Sequence, residues 1–368
     1  MNKYVKVLDG LRGISILWVM LHHVPLKMHP WIEFIRVRGD LGVELFFAIS
    51  GILVTKSMLN TFSKDQSMWK SIREYFVKRA ARIFPPFYLT LITLFGLSFF
   101  VSSLGEKLSK ISAILFSFPT YTYNYAKFFV TEKIPGSFGV FWSLCFEEQF
   151  YILLILMFIV FKRIYISRSM VLFILGSLIC RVYGATQADI YYYNKMQYYT
   201  HLRLDAILLG SLYVLNRQRV DCFFKNHIRP LSILIYISVL IAIVNHRFDS
   251  EVNRALNYFL ISLSFTGLVI YFLNNVNSHF KKIFEMNILT SIGVVSYEVY
   301  LIHQIVNGLM IKFLADLHYS FYSLILIILS FSLAYCFHKF FSSPLNLKIR
   351  ELFFDQKLHR VPGTNVIK

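Results

Sequence analysis

The apolar positions of this chain gather into long runs, and the polar residues fall in short stretches between them. A bilayer core takes about 20 mostly apolar residues per helix. Runs of that kind stand at 11–27, 40–58, 83–104, 140–161, 169–186, 202–216, 230–246, 256–274, 288–311 and 319–339. The pattern predicts an all-α fold, a polytopic integral membrane bundle of ten transmembrane helices, with the first, fifth and sixth runs short or interrupted.

Lys and Arg orient that bundle. The connection 56–82 holds Lys56, Lys64, Lys70, Arg73, Lys78, Arg79 and Arg82, which places it, and with it both termini, in the cytoplasm. Residues 1–345 then form the membrane domain. The tail 346–368, polar and basic from Lys348 on, is expected to be loosely ordered on the cytoplasmic face.

Composition agrees with a membrane protein, since only 16% of residues are charged, against about 25% in a soluble domain. The net charge of +18 is spread in short clusters instead of one basic face, which argues against nucleic acid and for anionic lipid headgroups and an anionic cofactor or donor. Cys145, Cys180, Cys222 and Cys336 lie far apart and make neither a disulfide framework nor a metal pattern. Lys3 and Lys6 before a short apolar core imitate a signal peptide, but no small-residue cleavage site follows, so this stretch reads as a first span. No internal repeat or low-complexity segment is present.

Charges inside spans carry the chemistry. The apolar runs hold Glu44, Glu147, Glu148, Arg181, Arg203, Asp205, Glu298 and Lys312, each costing about 2.5–3.5 kcal/mol at mid-bilayer. For the fourth span, two carboxylates cost roughly 5–7 kcal/mol, and its apolar residues return about 0.3–0.6 kcal/mol each. The balance is near zero, so those carboxylates are expected to face a polar chamber inside the bundle.

Within the first run, LDGLRGISILWVMLHHV at 8–24, Arg12 and His23 are eleven positions apart. On a helix that is about three turns plus 20°, and about 16.5 Å of rise, so the two share a face. A guanidinium near one interface and an imidazole deep in the bilayer can join a phosphate-bearing donor to a reacting centre. His22, one position off, points about 100° away. Two aromatic stretches, YTYNY at 121–125 and YYYNKMQYY at 191–199, fall on the outer side. They suit an interfacial belt, or a platform on which sugar rings stack.

The motifs can now be set together: LDGLRG at 8–13, His23, FFAISGILV at 46–54, RAARIFPPFY at 79–88, FWSLCFEEQFY at 141–151, LRLDAILLG at 202–210 and SYEVYLIHQ at 296–304. In their order and spacing the chain resembles the membrane-bound acyltransferase-3 family, multi-spanning enzymes that O-acylate polysaccharides, lipids and small molecules. The resemblance runs from Leu8 to about His303. It implies ten core helices and an acyl-CoA donor, acetyl-CoA above all, presented from the cytoplasm as a substrate, with no resident cofactor and no metal. The family's first-span Arg and His match Arg12 and His23. Ile52 stands where a Phe usually follows the Ser-Gly of the second-span motif, a change expected to reshape the donor cavity. No hydrolase-like extracytoplasmic domain of the kind some relatives carry accompanies the membrane part, so the bundle is expected to perform the whole reaction.

The roles follow from the resemblance together with side-chain chemistry. His23 is the general base toward an acceptor hydroxyl, or an acyl carrier. Glu147, favoured over Glu148, orients or stabilises the imidazole. Arg12, Arg79 and Arg82 hold the donor's phosphates, with ordinary inside-loop charge as the alternative for Arg79 and Arg82, and Ser50 and Gly51 line the acyl channel or serve as plain small-residue packing. Asp9, Tyr151, Arg203, Asp205, Tyr297 and His303 complete the set on the substrate side. Asp9 has the plainer alternative of anchoring the helix start. Arg203 and Asp205 have that of pairing with other helices, Glu147 or Glu148 being one candidate partner for Arg203 or Arg181. For Tyr297 and His303 the plainer role is a structural hydrogen bond.

The expected function is transfer of an acyl group, acetyl first, from cytoplasmic acyl-CoA to a hydroxyl of a surface or lipid-linked glycan, lipopolysaccharide among them. The expected setting is a bacterial inner membrane. The competing readings are an acyltransferase acting on a small molecule or peptide, a transporter with a polar intramembrane site, and a membrane scaffold.

Overall fold

The computed structural model of the chain describes residues 5–24, 30–130, 134–187, 195–244, 251–274, 279–314 and 317–354. Among them regular structure is helical, with no strand. Helices α1 (Lys6–His23), α2 (Pro30–Arg36), α3 (Leu41–Phe62) and α4 (Met68–Phe100) open the chain. Helices α5 (Ser102–Lys110) and α6 (Tyr123–Ala126) cap one end, followed by α7 (Phe141–Val160) and α8 (Arg163–Thr186). Next come α9 (Asp205–Leu215), α10 (Arg217–Asn226), α11 (Ile228–Val244) and α12 (Glu251–Asn274). The chain closes with α13 (His279–Phe284), α14 (Asn287–Val294), α15 (Ser296–Phe313), α16 (Tyr319–Phe337) and α17 (Ser343–Phe354).

Among the described residues six helical segments are long and apolar enough to cross a membrane by themselves, and up to eight if each of two bent pairs is one span, α10 with α11 at 100° and α14 with α15 at 68°. Each of the ten apolar runs falls on a helix. The first is interrupted by the charges of Asp9 and Arg12, and the sixth, α9, is an 11-residue helix. Runs 11–27 and 230–246 extend into segments outside the described residues.

Three expectations change. The basic connection 56–82 is mostly helix: α3 continues to Phe62 and α4 begins at Met68, so Arg79 and Arg82 stand on a rigid helical face. The run 288–311 is broken at Val295, which puts Ser296 and Tyr297 at the start of α15. The tail begins as helix: α17 extends to Phe354 and packs along α4, with Arg73 5.4 Å from the Phe353 ring. Positions 355–368 lie outside the described residues.

The polarity of the bundle is that of a protein dissolved in lipid. Leu172, Ile233, Leu234 and Leu240 stand exposed, whereas Arg181 and Arg203 are among the largest fully buried side chains. A soluble fold would reverse that arrangement. Arg181 donates to both carboxylate oxygens of Asp205, at 3.1 and 2.9 Å, and to the Leu202 carbonyl at 2.8 Å. Arg203 pairs with Glu44 and stacks 4.3 Å from the Tyr258 ring. Neutralised pairs of this kind are how a bundle carries charge through hydrocarbon.

Helix α1 packs against α3, α14 and α15. The approach to α14 is close enough that a Cβ on Gly13 would overlap the Leu289 carbonyl, and one on Gly293 the Asp9 carbonyl. The glycines of LDGLRG thereby let α1 lie directly against the broken span.

Candidate active site

Helices α1, α3, α4, α7 and α15 surround a cavity of about 760 Å³, its open mouth included. Arg12 projects into it from α1, Ser50 from α3, Arg79 and Arg82 from α4, Glu147 and Tyr151 from α7, and Tyr297 and Tyr300 from α15. Arg79 and Arg82 are three apart and so share one side of α4. Pro85 and Pro86 follow one turn later inside the same helix. Lacking N–H groups, they leave the carbonyls of Ala81 and Arg82 without the usual donors four residues on.

Internal hydrogen bonds preset the cavity wall. Glu147 accepts from the Ser50 hydroxyl at 2.9 Å and from the Tyr151 hydroxyl, one turn away, at 3.0 Å. Arg79 lies 5.7 Å from the Tyr151 ring and 6.0 Å from the Tyr75 ring, within cation–π range. Tyr297 donates to the Ile83 carbonyl at 3.3 Å. Asp9 sits 3.7 Å from Arg12, one turn back on α1, outside the cavity lining. With three guanidinium groups and one carboxylate facing it, the cavity has the chemistry to take a polyanion.

The two adjacent histidines of α1 go different ways. His22 donates from Nδ1 to the Arg36 carbonyl of α2 at 3.1 Å. His23 donates from Nδ1 to the Val19 carbonyl at 2.9 Å and turns its ring toward His303 of α15, with centroids 5.0 Å apart. Because a carbonyl only accepts, Nδ1 of His23 carries the hydrogen and Nε2 keeps its lone pair. Neither His23 nor His303 lines the cavity. The link is Tyr300, which lines it and has its ring 5.8 Å from that of His303. The Tyr300 hydroxyl is tied to that of Ser143 at 2.7 Å.

Most of the sequence-predicted residues converge here: Arg12, Arg79, Arg82, Ser50, Glu147, Tyr151 and Tyr297 share the cavity, and His303 meets His23. The expected contact between Glu147 and His23 is replaced by the Glu147 bonds to Ser50 and Tyr151. Arg203 and Asp205 take the alternative of pairing with other helices: both are fully buried in ion pairs, with Glu44 and Arg181, away from the cavity lining. Those pairings also remove Glu147 and Glu148 as partners of either arginine. Gly51 faces α9, where a Cβ would overlap the Ile207 carbonyl, so it serves helix packing and Ser50 alone faces the cavity. Ser143 and Tyr300 were missed. The 297, 300, 303 spacing on α15 was the available signal, since residues three apart are neighbours on a helix surface.

The two aromatic stretches meet each other. The rings of Tyr125 and Tyr199 stack at 4.7 Å with 23° between planes, and His201 stacks on Tyr125 at 5.8 Å. Lys127 holds its ammonium 3.2 Å over the Tyr198 ring, and burial lowers its pKa to about 8. Tyr198 in turn packs on Trp142, the neighbour of Ser143. Residues 191–194 of the second stretch lie outside the described residues.

A helical bundle with exposed apolar faces, an arginine-lined cavity and a buried imidazole pair defines a polytopic membrane protein. The chain belongs to the acyltransferase-3 family, whose description as an acyltransferase domain matches residues 5–339. It is 26% identical over 317 residues to the peptidoglycan O-acetyltransferase OatA of Listeria monocytogenes, covering 82% of this chain and 49% of that protein. With the putative peptidoglycan O-acetyltransferase YrhL of Bacillus subtilis it shares 24% over 321 residues, 82% of this chain and 48% of the relative. With the putative O-acetyltransferase SACOL0978 of Staphylococcus aureus it shares 26% over 327 residues, covering 82% and 50%. The chain thus spans about half the length of the curated relatives it matches. No solved structure matches it.

Proposed function

We propose that this chain is an integral membrane O-acetyltransferase that moves an acetyl group from acetyl-CoA to a hydroxyl of a cell-surface glycan, peptidoglycan or a lipid-linked saccharide. The observation that carries this reading is the convergence of Arg12, Arg79 and Arg82 on one cavity whose Tyr300 wall abuts the His303–His23 pair. Support comes from the relatives named for peptidoglycan O-acetylation.

In this reading ten spans cross a bacterial inner membrane, with both termini and the arginine end in the cytoplasm and lipid around the exposed apolar faces. The guanidinium forks hold the pyrophosphate and 3′-phosphate of coenzyme A, and the pantetheine arm runs along the cavity toward Tyr300. The acceptor enters from the end carrying Tyr125 and Tyr199, whose faces suit sugar rings. Its hydroxyl oxygen attacks the thioester carbonyl carbon while Nε2 of His23 takes the hydroxyl proton. The C–S bond then breaks, the electron pair leaves with sulfur, and His23 returns the proton to the thiolate. Positioned base catalysis of this kind contributes about 10²–10⁴-fold.

The test is acetyl content of peptidoglycan in cells expressing wild type, His23→Ala or His22→Ala at matched membrane levels. Acetyl with the wild type and His22→Ala, but not with His23→Ala, is expected. An active His23→Ala would remove the base assignment. A wild type that adds no acetyl to the wall would rule out this acceptor and turn the search to small molecules.

A further inference from the structure

His303 lies beside the cavity wall, behind Tyr300, and is among the buried groups that the transfer reaction has not yet used. His303 is 1% exposed, and its Nε2 has no hydrogen-bond partner. Leaving a buried polar atom unsatisfied costs about 1–3 kcal/mol. At His303 that cost falls where the ring meets His23. Its Nδ1 donates to the Val299 carbonyl at 3.1 Å, one turn back on its own helix, just as His23 does to Val19. Both rings are therefore the same tautomer, each with its free lone pair on Nε2. With centroids 5.0 Å apart and planes at 56°, the two rings are direct neighbours, and imidazole χ2 is broad enough to let one ring turn toward the other.

We propose that His303 is a positioning residue for the transfer reaction, its Nε2 accepting a hydrogen bond from the Nε2–H that His23 gains when it takes the acceptor's proton. This deepens the reading of His23 as base and rests on it. In the resting state both Nε2 atoms are acceptors, so no bond forms between them. Once the hydroxyl proton reaches His23, the same geometry becomes attractive, since a charged N–H points at an acceptor in a water-poor site. The stabilisation appears only as charge develops, so it lowers the barrier instead of tightening the ground state. The proton stays on His23 through the attack and goes to the departing thiolate when the C–S bond breaks. His303 changes no covalent bond. The carboxylate of Glu147, held by Ser50 and Tyr151, does not fill this role.

The proposal separates from a packing role through two substitutions at one site. His303→Phe keeps a planar ring and removes the acceptor atom. His303→Gln places an amide oxygen where Nε2 stands, able to accept a hydrogen bond. In membranes holding the full chain, with radiolabelled acetyl-CoA and peptidoglycan glycan strands as acceptor, His303→Phe is expected to lower kcat about 100-fold. Its KM for acetyl-CoA should stay within about twofold. His303→Gln should recover at least about tenfold of that loss. Equal loss in both variants, or a rise in KM matching the loss, overturns the proposal and leaves His303 a packing residue. So does an unchanged kcat in His303→Phe. His23→Ala, run alongside, keeps the two readings apart. If it is active, the base assignment falls and the pair with it. If it is inactive while His303→Phe is not, only the pair falls.

Discussion

The hydroxyls of Ser143 and Tyr300 meet at 2.7 Å, joining α7 to α15 at the wall between the arginine-lined cavity and the histidine pair. Tyr300→Phe removes this tie but keeps the ring, and Ser143 retains the Val140 carbonyl as acceptor. A stability loss of about 0.5–1.5 kcal/mol is expected, with kcat within a few-fold of wild type. Tyr300→Ala removes the wall itself and should cost about 3–5 kcal/mol. Thermal unfolding in detergent and acetyl transfer in membranes read the two effects.

Arg79 and Arg82 line the cavity from α4, and the proposed function gives them the donor's phosphates. Arg79→Ala and Arg82→Ala are each expected to raise the KM for acetyl-CoA about 10–100-fold, from the loss of about 1.5–3 kcal/mol of charge-assisted hydrogen bonding. Acetyl-pantetheine lacks the nucleotide and its phosphates, so the same variants should use it as well as the wild type does. A parallel loss with both donors would move these arginines out of the phosphate site.

Arg181 and Asp205 pair at 2.9 Å, fully buried and away from the cavity lining. Asp205→Asn leaves a buried guanidinium without its counter-charge, and removal of one partner costs about 3–5 kcal/mol. Less folded protein in the membrane is the expected readout. The double variant Arg181→Met with Asp205→Leu should return much of it, because two apolar side chains fill the space without a stranded charge. Donor KM should be unchanged in whatever protein folds.

Lys127 gives the aromatic cluster of Tyr198 and its neighbours a pH dependence. Burial lowers its pKa from 10.5 to about 8 in the folded chain. Between those values the unfolded chain binds a proton that the folded chain does not, so stability rises with pH across this window. Below about pH 8 both states hold the proton and the residue adds no slope. Lys127→Met should flatten the rise in Tm between pH 8 and 10, and an unaltered slope would place its origin in another group.

Much of this molecule follows from one-dimensional information. The position of the helices is set by runs of apolar residues, because lipid forces each crossing segment to satisfy its own backbone. The sharing of a face by Arg12 and His23 needs only helical rotation, and the polar chamber needs only the insertion cost of Glu147 and Glu148. Partner choice needs the fold. His22 and His23 differ by one position, yet α2 takes the first and α15 the second. Arg203 and Asp205 look like site residues until α3 and α8 supply Glu44 and Arg181. Glu147 reaches for Ser50, 97 positions away, instead of the imidazole expected beside it. Hydropathy and periodicity act along the chain, whereas hydrogen bonds and ion pairs depend on distances of about 3 Å between helices remote in sequence, which only packing decides.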